Sequence, residues 1–110
     1  MTFVRMRVVS AGRIKEWCKS HSVIEAALLH WLGLIQSSED CRSFADLRKL
    51  FSTVNQTKTD KGNLVCIFNL GHGKNAHRLI SAIHFNTQIV FALRLMTHAE
   101  YDKDEWKKEL

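Results

Sequence analysis

The amino-acid sequence predicts an α+β domain in which helices pack on one face of a sheet. Two observations carry that reading. Apolar residues recur at helical spacing through residues 11–51, and from residue 64 the pattern changes to three β-rich runs separated by short turns. A third sets the size: 110 residues make one domain, since domains typically hold roughly 100–150. Residues 1–110 are therefore expected to form a single unit, with enough buried surface to fold without a metal or disulfide staple.

Each element follows from its residues. Residues 3–9, FVRMRVV, alternate loosely between apolar and basic and predict a strand. Ser10 is a candidate cap for a helix over 11–20, on which Ile14, Trp17 and Cys18 form one stripe. Ser22 and Glu25 have the spacing of a capping box. Behind them Ile24, Ala27, Leu28, Trp31 and Ile35 share one face of a second helix, 23–36. Ser43 and Asp46 repeat the cap ahead of Phe44, Leu47, Leu50 and Phe51, a third short helix. Residues 52–63 are polar and predict the one long loop, ending in the turn Asp60, Lys61, Gly62, Asn63. Runs 64–70, 76–85 and 89–96 predict an antiparallel meander joined by turns at 71–75 and 86–88, with the N-terminal strand able to join its edge. Residues 100–109, charged around Tyr101 and Trp106, predict a short C-terminal helix or tail.

Composition narrows the class. A charged fraction of 25% and an apolar fraction of 45% are those of a globular chain rather than a disordered one. No run nears the roughly 18 apolar residues of a membrane span, and Arg5 and Arg7 interrupt the first apolar stretch, which argues against a signal peptide. Cys18, Cys41 and Cys66 are odd in number and lack a CxxC pair, so buried thiols in a reducing, intracellular compartment are expected. The sheet-rich second half leaves no recognition helix for a helix-turn-helix role.

The formal net charge is +5, and residues 57–98 hold Lys58, Lys61, Lys74, Arg78 and Arg94 against one acid, Asp60. His72, His77, His84 and His98 fall in the same window. Such a stretch suits a polyanion, RNA or DNA. Strict alternation along the last strand puts Ile89, Phe91, Leu93 and Leu95 on one face and Val90, Ala92, Arg94 and Met96 on the other. Arg94, a lone charge in an apolar strand, must be paired, reach solvent or line a cleft. With hairpin pairing, Arg78 and Arg94 can share a face in a register the sequence does not fix; the alternative is that one of them simply pairs with Glu100, Asp102 or another acid. Directly after comes THAEYD, 97–102. Imidazole titrates near neutral pH, so His98 is the candidate for proton transfer, Tyr101 for proton donation or phosphate positioning, and an acid at 100 or 102 for holding the histidine. The tract also fits a helix cap with Thr97 at its start and Glu100 three residues on. A metal reading would use His98 and Asp102 with His72, His77 or His84, but the sequence has no HExxH motif and GHGK lacks P-loop spacing.

Residues 68–106 resemble the HigB-type toxins of bacterial type II toxin–antitoxin systems. The likeness is carried by Asn75-x-x-Arg78-Leu79-Ile80, by Arg94 and by Thr97-His98-Ala99-Glu100-Tyr101-Asp102, with weaker likeness at Arg7 to Ser10 and around Glu25, Ala26, Ala27 and Trp31. The resemblance implies a compact RelE-like fold and a metal-independent mRNA endoribonuclease, usually ribosome-associated, that needs no cofactor and inhibits translation. It also implies a cytoplasmic protein neutralised by a HigA-like helix-turn-helix antitoxin, with operator DNA reached only through that antitoxin. Carried over by position, Arg78, Arg94, His98 and Tyr101 form the catalytic set, with a loop lysine, Lys58 or Lys61, as the alternative base to His98. Lys58, Lys61, Lys74 and Asn75 are the accompanying RNA-binding candidates from the basic window. His77 stands where the family commonly has Tyr, the 71–74 turn is richer in histidine, and prolines between helices and sheet are missing. A non-catalytic RNA- or ribosome-binding module is the alternative on the same basic face.

Overall fold

The computed structural model describes residues 4–110. Strands β1 (Arg7–Val8), β2 (Asn55–Lys58), β3 (Leu64–Leu70), β4 (His77–His84) and β5 (Ile89–Thr97) form one sheet in the order β1-β5-β4-β3-β2. Helices α1 (Ala11–Ser20), α2 (Glu25–Ser37) and α3 (Phe44–Leu50) precede β2, and two short helices, α4 (His98–Asp102) and α5 (Trp106–Glu109), follow β5. The α+β class and the helix-then-meander order agree with the sequence reading.

The two sheet faces are covered by different parts of the chain. On one, Ile14, Leu28, Trp31 and Leu47 from the helices pack with Cys66, Phe68, Leu79, Val90 and Ala92. On the other, Val65, Ile67, Ile80 and Met96 are covered by Trp106, with Tyr101 and Leu110 packed alongside. Burial on both faces explains why β3 reads as an unbroken apolar run rather than an alternating one.

Several expectations need correction. The strand expected over 3–9 shrinks to Arg7–Val8, paired in parallel with Ile89 and Val90, plus an isolated bridge from Arg5 to Glu39; Phe3 lies outside the described residues. The loop expected over 52–63 contains β2, antiparallel to β3. Its residues Asn-Gln-Thr-Lys carry no apolar alternation because an edge strand with mostly exposed side chains needs none. Ser22 and Glu25 form no capping box: Ser22–Ile24 is a 3-10 turn running into α2, and its Ser22 carbonyl already accepts the Glu25 N–H. The Ser43 cap does form, accepting the Asp46 N–H at 3.2 Å. Ser10 sits before α1 but turns its hydroxyl to the Ala92 N–H of β5, 2.7 Å away.

The correction with most bearing on function lies in β5. Its register against β4 slips between Ile80 and Ser81: Ile80 faces Arg94 and Ser81 faces Ala92, so Leu93 is the extra residue of a β-bulge. Val90 and Ala92 face the helices before the bulge and Leu95 faces them after it, so the alternation changes phase. Arg94 therefore does not share a face with Val90 and Ala92. It joins Met96 on the side away from the helices.

Cys18, Cys41 and Cys66 are free and buried, and burial pushes each thiol up, that of Cys66 to about 11. Thiolate is the reactive form, so native protein is expected to react slowly with a thiol reagent such as DTNB at neutral pH. Cys18, which lines a groove between α1 and α2, should react first, and all three rapidly in guanidinium. Immediate labelling of Cys66 in native protein would contradict this core.

Candidate functional site

Register decides which basic side chains meet. Arg78 lies opposite Met96 and Arg94 opposite Ile80, so both guanidinium groups rise from adjacent strands on the face away from the helices. Asn69 of β3 lies opposite Arg78 on the same face. This is also the face over which α4 and α5 fold back.

Helix α4 begins where β5 ends because THAEYD carries its own cap. The Thr97 hydroxyl accepts the Glu100 N–H at 3.2 Å, and the Glu100 carboxylate accepts the Thr97 N–H at 3.0 Å. That contact with the Thr97 N–H holds the Glu100 carboxyl below the usual range, with a smaller pull from His21 and His77. A lowered carboxyl pKa stabilises the folded form above the unfolded value, about 4.3, and that contribution is lost as pH falls through the lowered one. The Thr97 amide proton is therefore expected to move in an NMR titration only below about pH 4.3, and Glu100→Gln should abolish the transition. A Thr97 titration near neutral pH would contradict the cap.

With Glu100 engaged in capping, the carboxylate beside His98 is Asp102, whose Oδ2 lies 3.5 Å from His98 Nε2. The His98 side chain is 57% exposed. Tyr101, three residues along, is a neighbour of His98 on this helix. The Arg78 guanidinium carbon lies 5.7 Å from the Tyr101 ring centroid, and Arg78 Nη1 donates to the His77 carbonyl at 3.3 Å. Tyr101 in turn stacks on Trp106, with centroids 5.5 Å apart and planes inclined by 18°, and Trp106 Nε1 donates to the Tyr101 carbonyl at 3.2 Å. Arg78 and Tyr101 thus meet at α4, the helix that also carries His98, and Trp106 stacks behind the Tyr101 ring.

Arg94 has a different partner. Its Nη2 lies 2.6 Å from Glu109 Oε2, in a cleft of about 250 Å³ shared with Lys103 and Trp106. The side chains are 40% and 55% exposed, so this pair is wet and contributes little to stability. The alternative that Arg94 pairs with a surface acid is thus realised, although by Glu109 rather than Glu100 or Asp102.

The RNA-binding candidates are scattered. Lys58 is exposed on the edge strand β2, opposite Leu64. Lys61 Nζ donates to the Glu109 carbonyl at 3.1 Å, which puts it beside the segment that carries Arg94's partner. Lys74 and Asn75 lie exposed in a 3-10 turn, where the Asn75 carbonyl accepts from His77 Nδ1 at 2.8 Å. Gly71 allows this turn: its φ is +69°, and a Cβ there would sit 2.6 Å from the Asn75 carbonyl oxygen.

Neighbouring histidines play other parts. His77 is buried on the helix side, 5.7 Å edge-on from His21, and His84 lies at the far end of β4. Among the described residues no group of three or more His, Cys, Asp or Glu side chains is placed to hold a metal ion. Nor does any described helix have the length and apolarity to cross a membrane.

Sequence reasoning missed Arg13. Its Nη1 donates to the Ala92 carbonyl at 2.8 Å, across the bulge, and it lines a groove with Trp17 and Arg94. An arginine on the first turn of a surface helix gives no sequence signal, because its target is a strand 79 residues away.

A search of curated proteins gave no match to the chain. A family model described as HigB toxin, the RelE-like toxic component of a toxin–antitoxin system, matches residues 24–104. That span covers most of the chain, from the 3-10 turn before α2 through α4, and includes Arg78, Arg94, His98 and Tyr101. On this match the chain belongs to the HigB toxin family of RelE-like toxic components of toxin–antitoxin systems.

Proposed function

We propose that this toxin is a metal-independent endoribonuclease that cleaves mRNA through attack by the ribose 2′-hydroxyl. The observation that carries the reading is the Arg78–Tyr101 contact at α4, the helix that also bears His98 beside Asp102, on the sheet face that Arg94 shares. His98 takes the 2′-hydroxyl proton, with Asp102 holding the ring. The 2′ oxygen bonds to the adjacent phosphorus and the P–O5′ bond breaks. The leaving 5′ oxygen takes a proton from Tyr101, whose ring lies beside the Arg78 guanidinium. The products are a 2′,3′-cyclic phosphate and a free 5′-hydroxyl.

Arg78 and Arg94 offer planar forks to the scissile phosphate as its charge grows. For Arg94 this requires exchange of Glu109 for phosphate, and the exposure of both partners makes the exchange cheap. Lys61, beside the Glu109 carbonyl, serves the flanking backbone, with Lys74 and Asn75 at the turn before β4, whereas Lys58 lies by register on the helix-packed face. Membership of a toxin–antitoxin family implies an antitoxin partner. In this proposal it is a HigA-like helix-turn-helix protein, through which alone the toxin reaches operator DNA. Action is in the cytoplasm, on messages engaged by the ribosome, so that translation and growth stop.

Primer extension on cellular mRNA after brief induction without antitoxin tests the reading. New 5′ ends are expected, and purified toxin should leave 5′-hydroxyl ends. Growth arrest with intact messages would overturn it in favour of a non-catalytic ribosome-binding module. Activity lost in EDTA and restored by a divalent cation would overturn the metal-independent chemistry.

A further inference from the structure

The sheet face that carries Arg94 continues past it, beyond the part that Trp106 covers. Toward the far ends of β4 and β5 it holds a cavity of about 480 Å³, within the roughly 300–1,000 Å³ of small-molecule sites. Val65, Ala82 and Leu93 line it on this sheet face, with polar groups from Asn63, His84 and Glu109. Phe91 lies directly opposite Ala82, is 38% exposed, and meets the His84 ring edge-on at 5.6 Å. Two aromatic rings thus stand half in solvent on a face whose middle is otherwise sealed by Trp106. The core does not account for them, since neither Phe91 nor His84 belongs to either apolar cluster.

The cavity adjoins the cation site through the β-bulge. Leu93 lines the cavity and the next residue, Arg94, carries the guanidinium, while Glu109 stands on the wall common to the cavity and the Arg94 cleft. A flat, mostly apolar group with an attached anion fits this pairing: the flat group in the cavity, the anion on Arg94 in place of the Glu109 carboxylate. A nucleotide has that shape. Single-stranded RNA is read by splayed bases stacked on Phe or His rings, with polar groups at the base edge. Arg78 and Ala82 lie four residues apart on one face of β4, roughly 13 Å at 3.3 Å per residue, so the cavity takes a different nucleotide from the one at the Arg78–Tyr101 centre.

We propose that this cavity is a nucleobase subsite. It receives a base flanking the scissile bond, stacked against His84 and Phe91, with that nucleotide's phosphate on Arg94. The proposal rests on the ribonuclease reading and adds to it the source of base preference.

The test uses an uncleavable 2′-O-methyl trinucleotide carrying 2-aminopurine, with purified full-length toxin. Binding should quench the fluorophore. Ala82→Leu, which fills the cavity, and Phe91→Ala, which removes a stacking ring, should each weaken binding roughly tenfold and reduce the quench, with unchanged melting temperature. In RNA cleavage both variants should raise KM roughly tenfold, in line with the lost stacking, and lose base preference. Glu109→Gln should strengthen binding, because it frees Arg94. Wild type that cleaves RNA, with both cavity variants binding and choosing bases as it does, would overturn the subsite and leave the nuclease standing. Wild type that neither binds nor cleaves would overturn both. Variants that bind RNA normally but escape antitoxin neutralisation would overturn the subsite in favour of a protein contact.

Discussion

His98→Ala is expected to slow RNA cleavage by roughly 100- to 10,000-fold, the usual contribution of one positioned proton-transfer group. The fold should be unaffected: the ring is more than half exposed and its side-chain contact is to Asp102, itself exposed. Asp102→Asn should cost less, since it loosens the ring without removing it. Arg78→Ala should lose roughly 100- to 1,000-fold, as for a group that stabilises charge in the transition state. Arg78→Lys should recover only part of that, because an ammonium group cannot make the two parallel contacts of a guanidinium. The measurement is initial cleavage rate with purified protein, beside growth after induction. If His98→Ala and Arg78→Ala both cleave at the wild-type rate, the site at α4 is not the reacting centre.

Phe68→Ala is expected to destabilise the domain by about 3–5 kcal/mol. Phe68 is buried at 1% exposure and packs edge-on to both Trp31, at 5.4 Å, and Phe51, at 5.0 Å. It joins β3 to α2 and to the residue that ends α3, so its loss leaves a cavity on three elements and removes two aromatic contacts. Total stability of a small domain is typically about 5–15 kcal/mol, so the change should be visible as a large fall in melting temperature or as insolubility. Urea unfolding of wild type and variant measures it. A difference below about 1 kcal/mol would mean that the aromatic cluster does not hold the helices to the sheet, a result at odds with the usual cost of core truncation.

The helices and the meander were legible because periodicity reports which side of an element is buried. Helix α1 runs over the residues its stripe indicated, and the Thr97–Glu100 spacing at the end of β5 marked a real cap. Strand β2 was not legible. Its four polar residues are held by pairing to β3, and the edge position demands no apolar face. Ser22 and Ser10 show the limit of cap patterns: a serine at cap spacing satisfies whichever N–H is nearest, which for Ser10 belongs to β5. The site was legible in part. Arg78, His98 and Tyr101 stood out by residue type and position, whereas the choice of Asp102 over Glu100 beside His98 depended on which carboxylate the cap consumed.

By itself the sequence determined the α+β class, the order of helices before meander, the basic stretch and the candidates for proton transfer and phosphate binding. Only the tertiary structure decided which of them face the same way. One extra residue, Leu93, shifts the alternation of β5 and moves Arg94 away from the helix-packed face to the side of Arg78. The same folding brings Glu109 from the chain's last helix onto that guanidinium. Both are set by pairing between segments distant along the chain, and a bulge leaves no mark in local composition, because any apolar residue can be the one that steps out of register.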